Sequence, residues 1–508
     1  MKRASGVLLH ISSLPGPYGI GCFGEEALEF AGVLRSAGCT YWQVLPFAQT
    51  GSSHSPYQSV SSFAGNELFI DPRGLYQLHL ITGMDLAQAE SSGSAYSVDF
   101  DAVRESRVHL LGKAFENMPP DMRAAVLDFR DGNDWLDDAA LFSTIREHHN
   151  ELPWWEWDTP ALRQHDRIAL DEIRILHEDR YLYHCFVQYL FFTQWLALKK
   201  KINELGVSVI GDIPIYVAAD SADVWGHSEL FQMNPDHSFS SVSGVPPDYF
   251  SAEGQCWGNP LYRWDAHATD GYAWWIKRLS ISFQLYDTVR IDHFRAFYDY
   301  WSIPFGETTA INGVWEIGPR MDFFQQLALH FPNAPIIAED LGEIDDDVRA
   351  FLTDTGFPGM RVLQFGFEPD MDSMHLPHNY PSDTVAYTGT HDNNTILGWL
   401  WDAEEKKRTF ALAYCHYQAD DWGRGGPDSH VCQSMIRLIW QSHADLVIVP
   451  VQDLLGYGKD TRMNIPGKPW GNWTYRMTKK DLESINTDWL LEMNRLYSRQ
   501  MDGYVKYE

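Results

Sequence analysis

Eight short runs rich in valine and isoleucine, most of them ending in polar or acidic residues, recur along the chain and alternate with stretches of helical period. They are VLLHI (7–11), YWQVLPF (41–47), VSVIGDIPIYV (207–217), TVRIDHF (288–294), PIIAEDL (335–341), MRVLQF (360–365), TVAYTGTHD (384–392) and LVIVPVQDL (446–454). Continuous apolar character in most of the runs suits strands covered on both faces, and such strands are parallel ones joined by crossover helices. Eight of them in alternation with helices predict an α/β fold of the (β/α)8 barrel type, with 1–508 forming one elaborated unit.

Glycines mark the ends of several helical stretches: EEALEFAGVLRSAG closes at Gly38, WLALKKKINELG at Gly206, and a helix beginning near Asp345 at Gly356. The spacing of roughly 20 residues between the fifth, sixth and seventh runs fits bare βα units. Between the second and third runs the gap of about 160 residues is far too long for one crossover. It predicts an inserted, mostly helical subdomain over 72–190, and a second, loop-rich and aromatic insertion over 218–270 is expected to border the substrate groove.

The balance of 69 acidic against 39 basic residues, net -30, argues against a nucleic-acid partner and against an anionic membrane surface. Neutral substrates stay open, and 14% aromatic content with 20 tryptophans supplies flat faces of the kind that hold sugar rings. Most of those side chains are expected in the core. Cys22, Cys39, Cys185, Cys256, Cys415 and Cys432 form no CxxC pair, which points to reduced thiols and a cytoplasmic location rather than to disulfides or zinc. The stretch after Met1-Lys2-Arg3 is broken by His10 and Pro15, unlike a secretory leader, and no apolar run reaches the roughly 18 residues of a membrane span.

Two motifs look like chemistry and are better explained otherwise. Gly19, Gly21 and Gly24 satisfy GxGxxG, but ISSLPGPY separates them from the preceding strand, whereas a dinucleotide loop follows its strand directly. EHHNE (147–151) does not match HExxH and has no evident third ligand, so a solvated helix end is expected.

The informative pattern is where the acids fall. Strand ends on the C-terminal side of a barrel converge on one face, and Asp212, Asp292, Glu339, Asp340, Asp392 and Asp453 all lie near such ends. So many like charges have little structural use, and their common uses are binding hard cations or acid and nucleophile work on a glycosidic bond. The neighbours favour the second. Arg290 precedes Asp292 by two residues, so both side chains leave the strand on the same face, and an arginine is a poor companion for Mg2+ or Ca2+. His391 adds a donor suited to sugar hydroxyls, while Tyr57, Trp257 and Trp473 are candidate stacking surfaces. Acids on adjacent strands, about 4.8 Å apart, suit a double displacement with retention, which requires carboxyls about 5–5.5 Å apart.

With these residues in view, the sequence resembles the 4-α-glucanotransferase (amylomaltase, or disproportionating-enzyme) family of the α-amylase clan. The likeness runs end to end, through SGVLLHISSLPGPYGIG (5–21), SPYQ (55–58), GDIPIYV (211–217), GVPPDYFSAEGQCWGNPLY (244–262), VRIDHFRAF, IIAEDLG, THDNNT (390–395) and NIPG (464–467). The resemblance implies Asp292 as nucleophile, Glu339 as general acid/base and Asp392 as the transition-state stabiliser, with Arg290 and His391 in the same subsite. It implies Tyr57 and Trp257 as acceptor-side and donor-side glucan contacts and Asp212 and Asn464 as further substrate ligands. No metal and no organic cofactor are implied. The implied partners are α-1,4-glucans and maltooligosaccharides, with glucose as an acceptor. LPFAQTGSSH (45–54) and GPR (318–320) depart from the family's pattern beside the groove, which bears on chain-length preference rather than on the chemistry. Two other readings stay in play: a hydrolase of the same clan using water as acceptor, and a non-catalytic glucan-binding barrel.

Overall fold

The computed structural model describes residues 2–500 apart from 52, 248–250, 343, 370–371 and 469. Its centre is a barrel of eight parallel strands: β1 (Ala4–Leu8), β2 (Tyr41–Gln43), β3 (Ser208–Pro214), β4 (Thr288–Asp292), β5 (Ile336–Ala338), β6 (Gly359–Val362), β7 (Thr384–Tyr387) and β8 (Leu446–Pro450). The ladder runs in the order β6-β7-β8-β1-β2-β3-β4-β5. Each of the eight Val/Ile-rich runs contains or overlaps one strand.

Alternation along these strands sorts their side chains into two layers. Leu8, Ile210, Ile337, Met360, Val362, Val385, Tyr387, Leu446 and Ile448 fill the barrel interior as one buried cluster. Their neighbours Val7, Val209, Val289, Ile291, Ile336, Val447 and Val449 face outward into the large core beneath the helices. That two-sided burial is why the strands read as continuous apolar runs. Gly211 cannot carry a side chain, because a Cβ there would lie 2.1 Å from the Tyr286 ring.

No ladder joins β5 to β6, and the seam is closed by other means. Ala338 N–H donates to the Pro358 carbonyl at 3.0 Å. Asp340 accepts from the backbone N–H of Met360 at 2.5 Å and from Arg361 Nη1 at 3.1 Å. Asp340 therefore clasps the barrel shut. Asp453, on the turn after β8, accepts from Thr388 Oγ1 at 2.6 Å and from Ile396 N–H at 2.7 Å, pinning the β7–helix connection. Of the six strand-end acids, these two are structural, a correction to the reading that so many like charges there have little structural use.

The stretch between β2 and β3 contains helices Phe100–Glu116, Pro120–Asp131, Trp135–His148 and Arg167–Leu176, among shorter ones, and then the 27-residue helix Glu178–Glu204. A boundary at 190 falls inside that last helix. Tyr181, Phe186, Leu190 and Trp195 along it are all buried, since inserted helices cover one side and the barrel the other. Trp195 Nε1 donates across to the Leu285 carbonyl at 2.9 Å.

Segment 218–270, expected to be loop-rich, also holds two strands, Ser241–Val245 and Gln255–Pro260. With Asp299–Pro304 and Val314–Ile317 they form a four-stranded antiparallel sheet. Gly244 and a register shift next to it break the alternation that would have announced them: a Cβ on Gly244 would meet the Gln255 carbonyl oxygen at 2.1 Å. Residues 248–250 of the GVPPDYFSAEGQCWGNPLY motif lie outside the described residues.

Candidate active site

The parallel register sets Asp212 of β3 beside Arg290 of β4, and Asp292 follows Arg290 on the same face of its strand. Arg290 ties the three together. Its Nη1 donates to both Asp212 oxygens, at 2.9 and 2.7 Å, and its Nη2 donates to Asp292 Oδ1 at 2.9 Å. Asp212 is wholly buried, and burial pushes its carboxyl up to about 6 despite the opposing guanidinium. The Asp292 side chain is 31% exposed, so it is the member of this trio that opens toward the groove.

Glu339 follows directly on β5 and is nearly buried. Its Oε2 accepts from the His293 N–H at 2.7 Å and its Oε1 from the Leu341 N–H at 2.8 Å. Burial, reinforced by the negative charge of Asp292, pushes the Glu339 carboxyl up to about 8; Arg290 and the two N–H bonds only partly offset this. His293 reaches Glu339 because its backbone is left-handed, with φ 54°, a conformation non-glycine residues seldom adopt. If Glu339 is the proton donor that the resemblance implies, kcat/KM on a maltooligosaccharide should fall as pH rises through about 8. A profile flat to pH 10, or an alkaline limb already complete near pH 6, would contradict the environment described for Glu339.

Asp392 sits beyond β7 on a turn rather than on the strand. Thr390 N–H and hydroxyl both donate to Asn393 Oδ1, and Asp392 N–H donates to Thr390 Oγ1. The carboxylate accepts from Asn464 Nδ2 at 2.6 Å and pairs with His391 Nε2 at 3.3 Å, with 40% of its side chain exposed. Burial opposes ionisation here, yet the His391 charge and the hydrogen bonds from His391 and Asn464 hold Asp392 down to about 2. In His391 the balance runs the other way: burial lowers its basicity, but Asp392 raises it above the ordinary range.

Tyr57 enters this cluster from the loop after β2. Its hydroxyl donates to Asp212 Oδ2 at 3.0 Å, and its ring stacks on His391 at 5.1 Å and 17°, with Trp473 at 5.8 Å. It thus stands among the carboxylates. Trp257, on the antiparallel sheet, meets the His293 ring edge-on at 4.8 Å. Apart from Asp340 and Asp453, every residue that the sequence nominated for the site is therefore connected to this one cluster. Two participants lacked a sequence signal. The His293 contribution comes from its backbone, and Arg462, which donates to the Asp392 carbonyl and to the Asn464 carbonyl, is one arginine among many.

The two rejected motifs are structural. Gly24 precedes helix Glu25–Ser36, whose first turn carries Glu25 and Glu26 and would repel a phosphate. Glu147 of EHHNE is held by Arg180 and lies 3.3 Å from His184. Among the described residues no three His, Cys, Asp or Glu side chains are grouped so as to hold a metal ion.

Neighbouring carboxyls in unlike environments, one bound by arginine and one buried toward its neutral form, are what bond cleavage at a sugar acetal requires, and on this face of a parallel barrel they define an α-amylase-like (β/α)8 glycosyl-processing enzyme. Sequence similarity narrows the class. The chain belongs to the 4-alpha-glucanotransferase family, whose sequence profile matches residues 9–482. The 4-alpha-glucanotransferase of Thermus thermophilus is 43% identical over 95% of this chain and 96% of its own length. That of Streptococcus pneumoniae is 41% identical over 99% of both. An amylomaltase from Streptococcus agalactiae, solved in complex with acarbose, superposes with a TM-score of 0.94 at 38% identity, covering 98% of this chain and all of the other.

Proposed function

We propose that this 4-α-glucanotransferase moves α-1,4-glucan segments between maltooligosaccharides, with glucose among its acceptors, by retaining double displacement at Asp292. The observation that carries the reading is the pairing of Arg290-bound Asp292 at the end of β4 with buried Glu339 at the end of β5. Asp292 attacks the anomeric carbon while Glu339 gives its proton to the departing glycosidic oxygen. Glu339 then takes a proton from the 4-hydroxyl of the incoming sugar, which displaces Asp292 and restores an α-1,4 bond. Asp392, kept ionised by His391 and Asn464, binds ring hydroxyls and offsets the positive charge that develops at the transition state. Tyr57 lies against the sugar ring under attack, Trp257 lines the groove on the His293 side, and Asp212 acts through Arg290 and Tyr57.

A clan hydrolase would use the same acids, and a retired glucan-binding barrel would be expected to have lost one of them. The acarbose complex of the S. agalactiae relative supports a groove built for α-glucosides. The six cysteines are free, in keeping with a reducing cytoplasm, and no described helix is long and apolar enough to cross a membrane. Retention is tested by proton NMR of the first products from maltotriose. The linkages formed by transfer should carry the α configuration, read from their anomeric protons. New β-linkages would mean single displacement and would rule out an Asp292 ester.

A further inference from the structure

The segment 45–54, which departs from the family's pattern, ends in a histidine with a demanding setting. His54 has left-handed backbone, φ 57°. Its imidazole lies flat on Phe100, with ring centroids 4.6 Å apart and planes within 12°. Phe100 opens the inserted helix Phe100–Glu116 and is itself buried. One turn further on, Arg104 Nη2 donates to the Thr50 carbonyl at 3.3 Å, and its Nη1 is 3.6 Å from Glu67. The inserted helix therefore grips the loop after β2 at two points.

That loop is the one that delivers Tyr57. A bridge between Thr50 and Ser59 closes it, Gly51 N–H donates to the Gln58 carbonyl at 3.3 Å, and Ser55 Oγ accepts from Tyr57 N–H at 3.3 Å. His54 precedes Tyr57 by three residues, and a side chain stacked at that point fixes where the returning strand of the loop enters the barrel mouth. We propose that His54 is a positioning residue: by stacking on Phe100 it uses the helical insertion as the anchor that places Tyr57 on His391 and Asp212. The inference rests on the reading that Tyr57 supports the sugar ring under attack.

A left-handed position tolerates asparagine, so His54→Asn removes the ring while sparing the backbone. Phe100→Leu breaks the stack from the other side, and Phe100→Tyr keeps it. With maltotriose as substrate, the first two variants should raise KM about tenfold with a much smaller change in kcat, the mark of a binding surface displaced by a fraction of an ångström. Phe100→Tyr should stay near the parent. In a Tyr57→Ala background, His54→Asn should add nothing further, because its effect passes through Tyr57. Thermal melts of each variant separate these effects from general unfolding. Parent-like KM in both His54→Asn and Phe100→Leu would overturn the proposal, as would effects of His54→Asn and Tyr57→Ala that multiply in the double variant. An unchanged KM in Tyr57→Ala alone would overturn the proposal through its premise, the role of Tyr57 itself.

Discussion

Asp292→Asn should reduce turnover of maltotriose by about 10⁴-fold or more while the protein remains folded. The amide keeps the shape of the carboxylate and can still accept from Arg290, so the β4 end should hold its geometry. What is lost is the nucleophile, and with it the only route by which one difficult displacement is divided into two. A second consequence follows from the electrostatics: the Asp292 charge is one of the causes that raise Glu339, so its removal should lower the Glu339 pKa. The measurement is initial rate by product chromatography, alongside a thermal melt. Activity within tenfold of the parent on a folded sample would remove Asp292 from the reaction.

Glu339→Gln should be nearly as damaging on a natural glucan, by about 10³-fold or more, but with a distinctive substrate dependence. A glycosidic oxygen leaves poorly without a proton, whereas fluoride leaves without much help. An α-maltosyl fluoride donor should therefore still load Asp292 in this variant. Release is then slow, because no base is present to activate the incoming hydroxyl, and the maltosyl ester should accumulate enough to be seen as added mass on the intact protein. The glutamine also replaces an acceptor of two backbone N–H bonds, from His293 and Leu341, with a group that can accept only through its carbonyl oxygen. Some loss of order at the left-handed His293 is expected, and the rate of fluoride release in the first turnover separates that loss from the missing proton transfer. First-turnover fluoride release slowed as much as the turnover of maltotriose would argue that Glu339 has a structural role and does not handle the proton.

The barrel was legible because burial on both faces turns its strands into apolar runs, and each run marked a strand. The antiparallel sheet escaped notice because Gly244 and the adjacent register shift erase alternation in the strand at its middle. The limits of the helical insertion were blurred for a related reason: helix Glu178–Glu204 is covered on opposite sides by two different layers, so no amphipathic edge marks where the insertion returns to the barrel. Among the acids, strand position nominated six alike, because it could not say which way a carboxylate turns once its strand has ended. Asp340 turns to clasp β6 and Asp453 turns to cap a helix, while Asp392 reaches the groove from a turn. Tyr57 was recognisable as a site residue, yet its place among the carboxylates depends on a loop that packs against the distant insertion at Phe100. The His293 amide left no trace in residue type at all.

A sugar, and not water, should resolve the ester on Asp292. A sugar held in the groove has the advantage of orientation, which in model reactions is equivalent to concentrations of about 10⁵ M or more and can outweigh water at roughly 55 M. If this holds, every α-1,4 bond broken is replaced by another. The direct measurement is to incubate the enzyme with maltotriose and follow total reducing ends while the products are separated by length. Glucose should appear together with a ladder of maltooligosaccharides longer than maltotriose, at constant reducing-end count. A steady rise in reducing ends toward glucose and maltose, with nothing longer than maltotriose, would contradict it and make the enzyme a hydrolase.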